Sequence, residues 1–196
     1  MTEPGSRFQT AIERLDALHG EDPRQENIDG REIPYELLYA RRMGEWLARV
    51  APNAGEALRL AVCAQHLQRW RIPRDDYPRD RPGYLAWRRE LGRLQAEQAS
   101  IVLREAGYDA DLREHVAGLI RKERLRSDAD AQALEDTACL VFLEHYLDDF
   151  AAGHDDAKLM RIVRKTWNKM SPRGQELAAT IPLSADTRIL VQRALA

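Results

Sequence analysis

The sequence is poor in features that fix a fold or a compartment by themselves. It has only two cysteines, Cys63 and Cys139, so it is not a small domain held together by disulfides. No apolar run reaches the roughly 18 uncharged residues that a membrane span requires. The residues from Met1 to Ser6 lack the pattern of a secretory signal. We therefore expect a cytoplasmic protein with no membrane partner.

The charge is nearly balanced, with 30 Lys and Arg against 32 Asp and Glu. A net charge of −2 excludes a protein that coats nucleic acid through its overall field, so any such contact has to be a local patch. The sequence also contains no glycine-rich phosphate loop, no Cys-x-x-Cys or His-Glu-x-x-His metal pattern and no nucleophile motif. The chemistry therefore has to be sought in the helices and a few interior residues.

Apolar residues, by contrast, are plentiful and recur at helical spacing along nearly the whole chain. Strict alternation over the length of a strand is hard to find, and neither a repeat nor a long linker divides the chain. These observations predict an all-α fold, a single-domain helical bundle over residues 1–196.

Periodicity and capping residues place the predicted helices. The most apolar segment, Ala133 to Phe150, is expected to be the most buried helix. The polar stretch Glu21 to Pro34 has no periodicity and is predicted to be a loop. The other predicted helices run from Phe8 to Leu18, Tyr35 to Val50, Asn53 to Trp70, Tyr84 to Gly107, Asp109 to Ile120 and Asp155 to Trp167, with two short ones after Ser171 and Ser184.

Two basic runs stand out. Between residues 69 and 93, eight arginines face four acids and are interleaved with tryptophans and tyrosines, a mixture that suits phosphate, a nucleotide base or single-stranded RNA. Later, Arg161, Lys165 and Lys169 are four apart and predict one cationic stripe, which leads to a helix start at Ser171 that could hold an anion. The alternatives are arginines paired with nearby acids on a solvated face and basic groups that only complement a helix dipole.

Interior polar residues are the other candidates. His66 follows an apolar helical segment just before the arginine-rich stretch, where it is either functional or a packed core residue. Glu135, Asp136 and Glu144 lie in the most hydrophobic segment. A carboxylate there is costly to bury unless it is paired, metal-bound or protonated, and exposure at the helix edge is the alternative.

Four pieces follow one another in an informative order: the arginine-bearing segment Tyr39 to Met43, the helix ending in His66, a helix pair around Glu97 and Lys122, and the segment Leu134 to Ala138. This order resembles that of the HD-domain phosphohydrolases. In that superfamily an early histidine, a His-Asp dyad and a late aspartate hold a divalent metal ion, often with two further histidines between them.

The correspondence with that pattern is partial. Tyr39 stands where the early histidine falls, His66 matches the histidine of the dyad, and Asp136 matches the late aspartate. The resemblance implies an HD-domain-like bundle in which His66 and Asp136 lie close enough to share a proton.

Other positions depart from the pattern. Leu67 replaces the aspartate of the dyad, and Glu97 and Lys122 fall near the optional histidines. A standard two-metal centre is therefore not expected, and no metal ligand is assigned. One divalent ion would need replacement ligands such as Glu97, Glu135 or Glu144.

The chain is also similar to a family of uncharacterised all-α proteins of this length, sometimes labelled glutamyl-tRNA synthetase-like. The similarity rests on segments such as Gln65 to Leu67, Arg69 to Arg74, Cys139 to Glu144 and Lys165 to Ser171. The label implies little about activity, because the chain has neither the nucleotide-binding α/β domain nor the ATP-binding motifs of a class I synthetase.

The leading hypothesis is a divergent HD-like domain that binds a phosphorylated nucleotide-like small molecule, with its hydrolysis left open. The catalytic residues would be His66 and Asp136. The ligand-binding residues would be Tyr39, Arg42, Arg69, Arg74, Glu97, Lys122, Lys165 and Lys169. No cofactor is assigned, although a single divalent metal ion stays an option. The alternative is a non-enzymatic helical domain that binds RNA or a protein partner through its basic surfaces.

Overall fold

Helices make up most of the described chain, which comprises residues 6–123 and 127–196 of a computed structural model. The helices in these ranges are α1 (Arg7–His19), α2 (Tyr35–Val50), α3 (Glu56–Cys63), α4 (Arg81–Glu105), α5 (Ala110–Ile120), α6 (Ala129–His145), α7 (Leu147–Ala152), α8 (Asp156–Trp167), α9 (Pro172–Ala178) and α10 (Ala185–Leu195). The two described strands, β1 (Gln25–Ile28) and β2 (Arg31–Pro34), form an antiparallel hairpin. The all-α prediction is confirmed. None of these helices is long and apolar enough to cross a membrane.

Most of the segment on which the secretory-signal expectation rests, residues 1–5, lies outside the described residues. Residues 124–126, which follow α5, also lie outside the described residues.

The prediction of a loop over Glu21 to Pro34 is wrong, because most of this stretch forms the β1–β2 hairpin. Asp29 and Gly30 both have positive φ angles, of 51° and 82°, as a two-residue hairpin turn requires. The side-chain oxygen of Asn27 accepts a hydrogen bond from the Gly30 amide at 3.0 Å. Strands of four residues are too short to show clear alternation, so the Asp-Gly pair is the main sequence signal for this hairpin.

α3 is shorter than the predicted helix at both ends. It begins at Glu56 after an N-cap at Gly55, so the predicted cap at Asn53 does not form. It ends at Cys63, well before the predicted end near Trp70.

The residues after α3 form a tight turn. His66 and Gln68 have left-handed φ angles of 62° and 50° and lead the chain into two short 3-10 segments, Arg69–Arg71 and Arg74–Asp76. His66 therefore lies in a turn and not on a helix. Such a backbone conformation is uncommon for a residue with a Cβ, although histidine adopts it more readily than most residues.

The predicted helix from Ala133 to Phe150 is in fact two helices. α6 begins after an N-cap at Asp128, and the chain breaks at Tyr146, which caps α6 and precedes α7. α6 has more buried residues than any other described helix, including Leu140, which is fully buried. The prediction that this segment is the most buried one agrees with the structure, although its bounds do not.

The predicted capping residues are confirmed at four helix starts. The side chains of Asp109, Asp155, Ser171 and Ser184 each accept a hydrogen bond from a backbone amide in the first turn of α5, α8, α9 and α10, respectively. Gly107, with a φ of 86°, follows the end of α4, as predicted.

The core lies where α2, α3 and α6 meet. α2 packs against α3 and α6, and α3 also packs against α5, which in turn packs against α4. Met43, Trp46, Leu60, Leu67 and Leu140 are almost completely removed from solvent at this centre. This packing brings the first turns of α2, the turn after α3 and the middle of α6 next to one another.

Candidate functional site

Two adjoining cavities lie where α2, the turn after α3 and α6 meet. They share four lining residues, which are Tyr39, His66, Ala138 and Phe142. The larger has a volume of about 600 Å³ and is called here the aromatic cavity; its other lining residues include Arg24, Tyr35, Glu36, Arg69, Tyr146, Asp149, Phe150 and His154. The smaller has a volume of about 200 Å³ and is called the basic cavity; its other lining residues include Gln65, Tyr84, Arg88, Lys122, Glu135 and Lys169.

Tyr39 and His66 stack at the boundary between the two cavities, with ring centroids 4.0 Å apart and planes 14° from parallel. His66 Nε2 lies 2.7 Å from Nη1 of Arg69, and its Nδ1 lies 3.2 Å from Oε2 of Glu36. A guanidinium can only donate, so Nε2 accepts and Nδ1 carries the proton toward the carboxylate. Burial, together with the charges of Arg69 and Arg88, holds the pKa of His66 well below 6.5. The imidazole is therefore neutral at pH 7.

An ionic network of two buried carboxylates and the half-exposed Arg24 holds Glu36 beside His66. Oε1 of Glu36 accepts a hydrogen bond from Arg24 at 2.7 Å, and Arg24 also donates to Asp22 at 2.8 Å. Asp22 in turn accepts a hydrogen bond from the backbone amide of Glu36 at 3.2 Å. Burial raises the pKa of Glu36, against the opposing effect of Arg24 and Arg69. The residues that lead into the hairpin thus fix one wall of the aromatic cavity.

The basic cavity is organised around one buried carboxylate. Glu135 accepts hydrogen bonds from Lys122 at 2.5 Å and from Lys169 at 2.9 Å, and only 4% of its side chain is exposed. Burial alone would raise the pKa of Glu135, but the two lysines outweigh it and lower the pKa to about 2. Lys122 itself has a left-handed φ of 59° in the turn after α5. Glu135 is therefore ionised and keeps both ammonium groups at the cavity.

Arg88 adds a third cation to the basic cavity. It is half-buried on α4 and forms no ion pair with any residue in 6–123 or 127–196. The lining of the cavity therefore contains three cations, Arg88, Lys122 and Lys169, against the single carboxylate of Glu135. A partly desolvated excess of positive charge of this kind favours an anion with several acceptor oxygens.

The aromatic cavity is lined by flat rings. Tyr35 and Tyr146 lie 5.8 Å apart, Phe142 meets Phe150 edge-on at 6.0 Å, and His154 stacks on Phe150 at 4.0 Å. Ring faces and edges of this kind pack well against a planar aromatic ligand. The two cavities together offer a place for a flat ring next to a place for an anion.

Five of the residues predicted from the sequence line these cavities: Tyr39, His66, Arg69, Lys122 and Lys169. Arg42 lies behind the wall of the aromatic cavity, where it donates to the Tyr146 hydroxyl at 2.9 Å and pairs with Glu26 at 2.7 Å.

Three predicted ligand-binding residues lie away from both cavities. Arg74 donates to the backbone carbonyls of the loop before α4 and holds that loop in place. Glu97 is exposed and pairs with Arg93 at 3.1 Å. Lys165 is exposed on α8, and Lys169 lies beyond the end of that helix at Trp167, so the predicted helical stripe is interrupted before its last member.

Asp136 does not contact His66, contrary to the predicted pair. It accepts hydrogen bonds from the backbone amide of Ser171 at 2.8 Å, from the Ser171 hydroxyl and from Gln132 at 2.9 Å, and it lines neither cavity. Adjacent helix positions point about 100° apart. The preceding residue, Glu135, therefore faces the cavity, while Asp136 holds the start of α9.

The residues around His66 do not fit a divalent metal ion. Both ring nitrogens of His66 already face Glu36 and Arg69, and both oxygens of Glu135 are taken by lysines. Of the suggested replacement ligands, Glu97 is on the surface, and Glu144 accepts a hydrogen bond from Trp46. Elsewhere in the described chain, His115, Asp128 and Asp130 place ligand atoms within 4.8 Å of one another, outside both cavities.

Sequence reasoning missed Glu36, Arg24 and Tyr146, and it did not single out Arg88. Glu36 resembles any acidic residue in a first helical turn, and Arg88 is one of eight arginines in its stretch. No local signal separates them from their neighbours, because their roles depend on which other elements pack beside them.

The sequence model of one protein family, described as a domain of unknown function (DUF4202), matches residues 9–191. No curated protein matches the chain, and neither does any solved structure. The matched range contains every residue that lines the two cavities. The family description names neither HD-domain phosphohydrolases nor synthetases, so those two resemblances stay predictions.

Proposed function

We propose that this chain, which belongs to the family described as a domain of unknown function (DUF4202), binds a phosphorylated nucleotide-like small molecule in the two cavities. The phosphate would lie in the basic cavity and the base in the aromatic cavity. The observation that carries the proposal is the convergence of Arg88, Lys122 and Lys169 on one side of the Tyr39–His66 stack, with flat rings on the other side.

The charge balance supports a phosphate. Glu135 satisfies only part of the positive charge of Lys122 and Lys169, and Arg88 has no acidic partner among the described residues. A phosphate accepts several charged hydrogen bonds at once, each worth about 1.5–3 kcal/mol in a partly buried site.

The hydrogen bonds of His66 support binding over hydrolysis. Its Nε2 lone pair accepts from Arg69, so the imidazole can act as a general base only after Arg69 has moved away. We therefore propose a binding site and not a catalytic one. The only feature of the HD-domain-like arrangement that this proposal uses is the stacking of Tyr39 on His66. Release of inorganic phosphate from a bound nucleotide is the readout that would extend it to catalysis.

A thermal-shift screen of the purified protein tests the proposal. Nucleoside monophosphates and diphosphates are added one at a time, each with and without Mg²⁺ or Mn²⁺. A ligand at 100 times its Kd adds about 2.7 kcal/mol, which for a domain of this size raises the Tm by about 5–11 °C.

Two arginine variants make the test specific to the site. Arg88→Ala should lose at least about tenfold in affinity, the equivalent of one charged hydrogen bond. Arg104→Ala, at an exposed arginine near the end of the same helix, should bind like the wild type. If no nucleotide raises the Tm, or if the two variants bind equally, the proposed site is wrong.

A further inference from the structure

The first half of α4 presents one basic and aromatic face beside the basic cavity. Arg81, Tyr84, Leu85, Arg88 and Arg89 recur at the spacing that places side chains on one side of a helix. Tyr84 is 45% exposed and Leu85 is 52% exposed, which is unusual for such large side chains. This set of five residues is called the α4 face.

The arginines of the α4 face are not neutralised. Arg81, Arg88 and Arg89 form no ion pair with any part of the chain that the structure describes. Other arginines nearby are paired, Arg79 with Asp75 and Arg93 with Glu90. The pairing alternative for the arginine-rich stretch therefore holds for some of its members and fails for this face.

The α4 face is continuous with the basic cavity, because Tyr84 and Arg88 belong to both. A phosphate bound in the cavity would therefore lie at the inner end of a strip that continues outward to Arg81 and Arg89. The exposed ring of Tyr84 stands beside that strip, whereas the neighbouring Trp87 is buried and donates to the Ile72 carbonyl at 2.9 Å. Alternating cations and an exposed ring are the features that bind single-stranded nucleic acid.

We propose that the bound nucleotide is the terminal residue of a single-stranded oligonucleotide, and that the strand continues from the basic cavity along the α4 face. The phosphate in the cavity is then a bridging one. The next base stacks on Tyr84, and the next phosphates meet Arg81 and Arg89. This inference rests on the proposed function, since it places the terminal base and phosphate in the two cavities.

The test compares the affinities of the full chain for mononucleotides and for single-stranded tetranucleotides of the same base, RNA and DNA in separate titrations. The tetranucleotide of at least one of the two sugars should bind at least tenfold more tightly. Two added phosphate contacts should also make the dependence of log K on log salt steeper by about 1.4, at about 0.7 per phosphate for a single strand.

Charge-reversal variants locate the added contacts. Arg81→Glu with Arg89→Glu should remove most of the additional affinity for the tetranucleotide, leaving only what stacking on Tyr84 contributes, and should change mononucleotide binding less than twofold. Arg104→Glu is the control, because Arg104 lies on the same helix fifteen residues and about 22 Å beyond Arg89. It should keep the tighter binding. The Tm of each unliganded variant checks that these exposed changes leave the fold intact.

Each outcome separates this inference from the proposed function. Mononucleotide binding with no tighter tetranucleotide binding overturns the inference alone. The inference is also overturned if the additional affinity for the tetranucleotide survives the double charge reversal. If a polyglutamate peptide binds as tightly as the tetranucleotide, the inference is overturned in favour of an acidic protein partner. Absence of binding by both mononucleotide and tetranucleotide overturns the proposed function and the inference together.

Discussion

Replacing Glu135 by glutamine tests the electrostatics of the basic cavity. The carboxylate is buried between Lys122 and Lys169, and its pKa of about 2 compares with an ordinary 4.5. The difference corresponds to about 3 kcal/mol, because a tenfold change in the proton equilibrium is about 1.4 kcal/mol. We expect Glu135→Gln to lower the free energy of unfolding by about that amount at pH 7.

The pH dependence of this loss has a definite sign. A carboxylate whose pKa is lower in the folded state stabilises the protein above the pKa of the unfolded state, and this stabilisation disappears as the pH falls toward 2. The difference in the free energy of unfolding between the wild type and Glu135→Gln should therefore be largest at pH 6–7 and should shrink steadily below about pH 4.5. Urea unfolding followed by circular dichroism, at a series of pH values, measures it.

A surface glutamate supplies the control for this experiment. Glu97 is exposed, and Glu97→Gln should change the unfolding free energy by less than about 0.5 kcal/mol. Adding phosphate should stabilise Glu135→Gln more than the wild type, since Lys122 and Lys169 then lack their carboxylate. A loss below 0.5 kcal/mol at pH 7, or a loss that does not change between pH 7 and pH 3, would show that Lys122 and Lys169 do not stabilise an ionised Glu135.

Three further predictions concern the fold and the site. Leu140→Ala, in the centre of α6, should cost about 2–5 kcal/mol in urea unfolding, and a cost under 1 would contradict its place in the core. Gly174→Ala should lower the free energy of unfolding by about 1–3 kcal/mol, because the added Cβ would lie 2.8 Å from the carboxyl carbon of Asp136. Gly44→Ala is the control, since a Cβ there meets nothing within 4 Å and should not destabilise the fold. Equal effects of the two substitutions would contradict the contact. In the ¹⁵N NMR spectrum of its ring, His66 should titrate well below pH 6.5 in the folded protein. Its protonation therefore favours unfolding, and the stability should fall as the pH drops below about 6.5; titration near 6.5 in the folded state would contradict this.

The parts of the fold that depend on local sequence could be predicted. The caps at Asp109, Asp155, Ser171 and Ser184 need only a side chain that reaches an amide within the same turn. The break at Tyr146 could not be predicted in this way, because the apolar pattern continues across it. The end of α6 therefore depends on packing against the other helices and not on the local sequence pattern.

In the candidate site, too, some features could be predicted from the sequence and others depend on tertiary packing. The order of the helices predicts that Tyr39, His66 and Lys122 lie in one region, and all three line the two cavities. Lys169 also lines the basic cavity, but the sequence points to it only as part of the second basic run. The partners of these side chains could not be predicted from the helix order. The predicted Asp136 is one position away from the carboxylate that faces the cavity, and a shift of one residue on a helix turns a side chain by about 100°. Sequence alone gives no register of that accuracy for a helix buried on several sides.

An NMR titration of the protein with inorganic phosphate and with nucleoside monophosphates tests the phosphate site in the basic cavity most directly. It follows the side-chain NεH signals of the arginines and the ring signals of His66, Tyr35 and Tyr146. We expect saturable shifts at Arg88 and His66 with no shift at Arg104, and additional shifts at Tyr35 and Tyr146 only when a base is present. Equal, unsaturated shifts at Arg88 and Arg104, or no shift at Arg88, would contradict a phosphate site in the basic cavity.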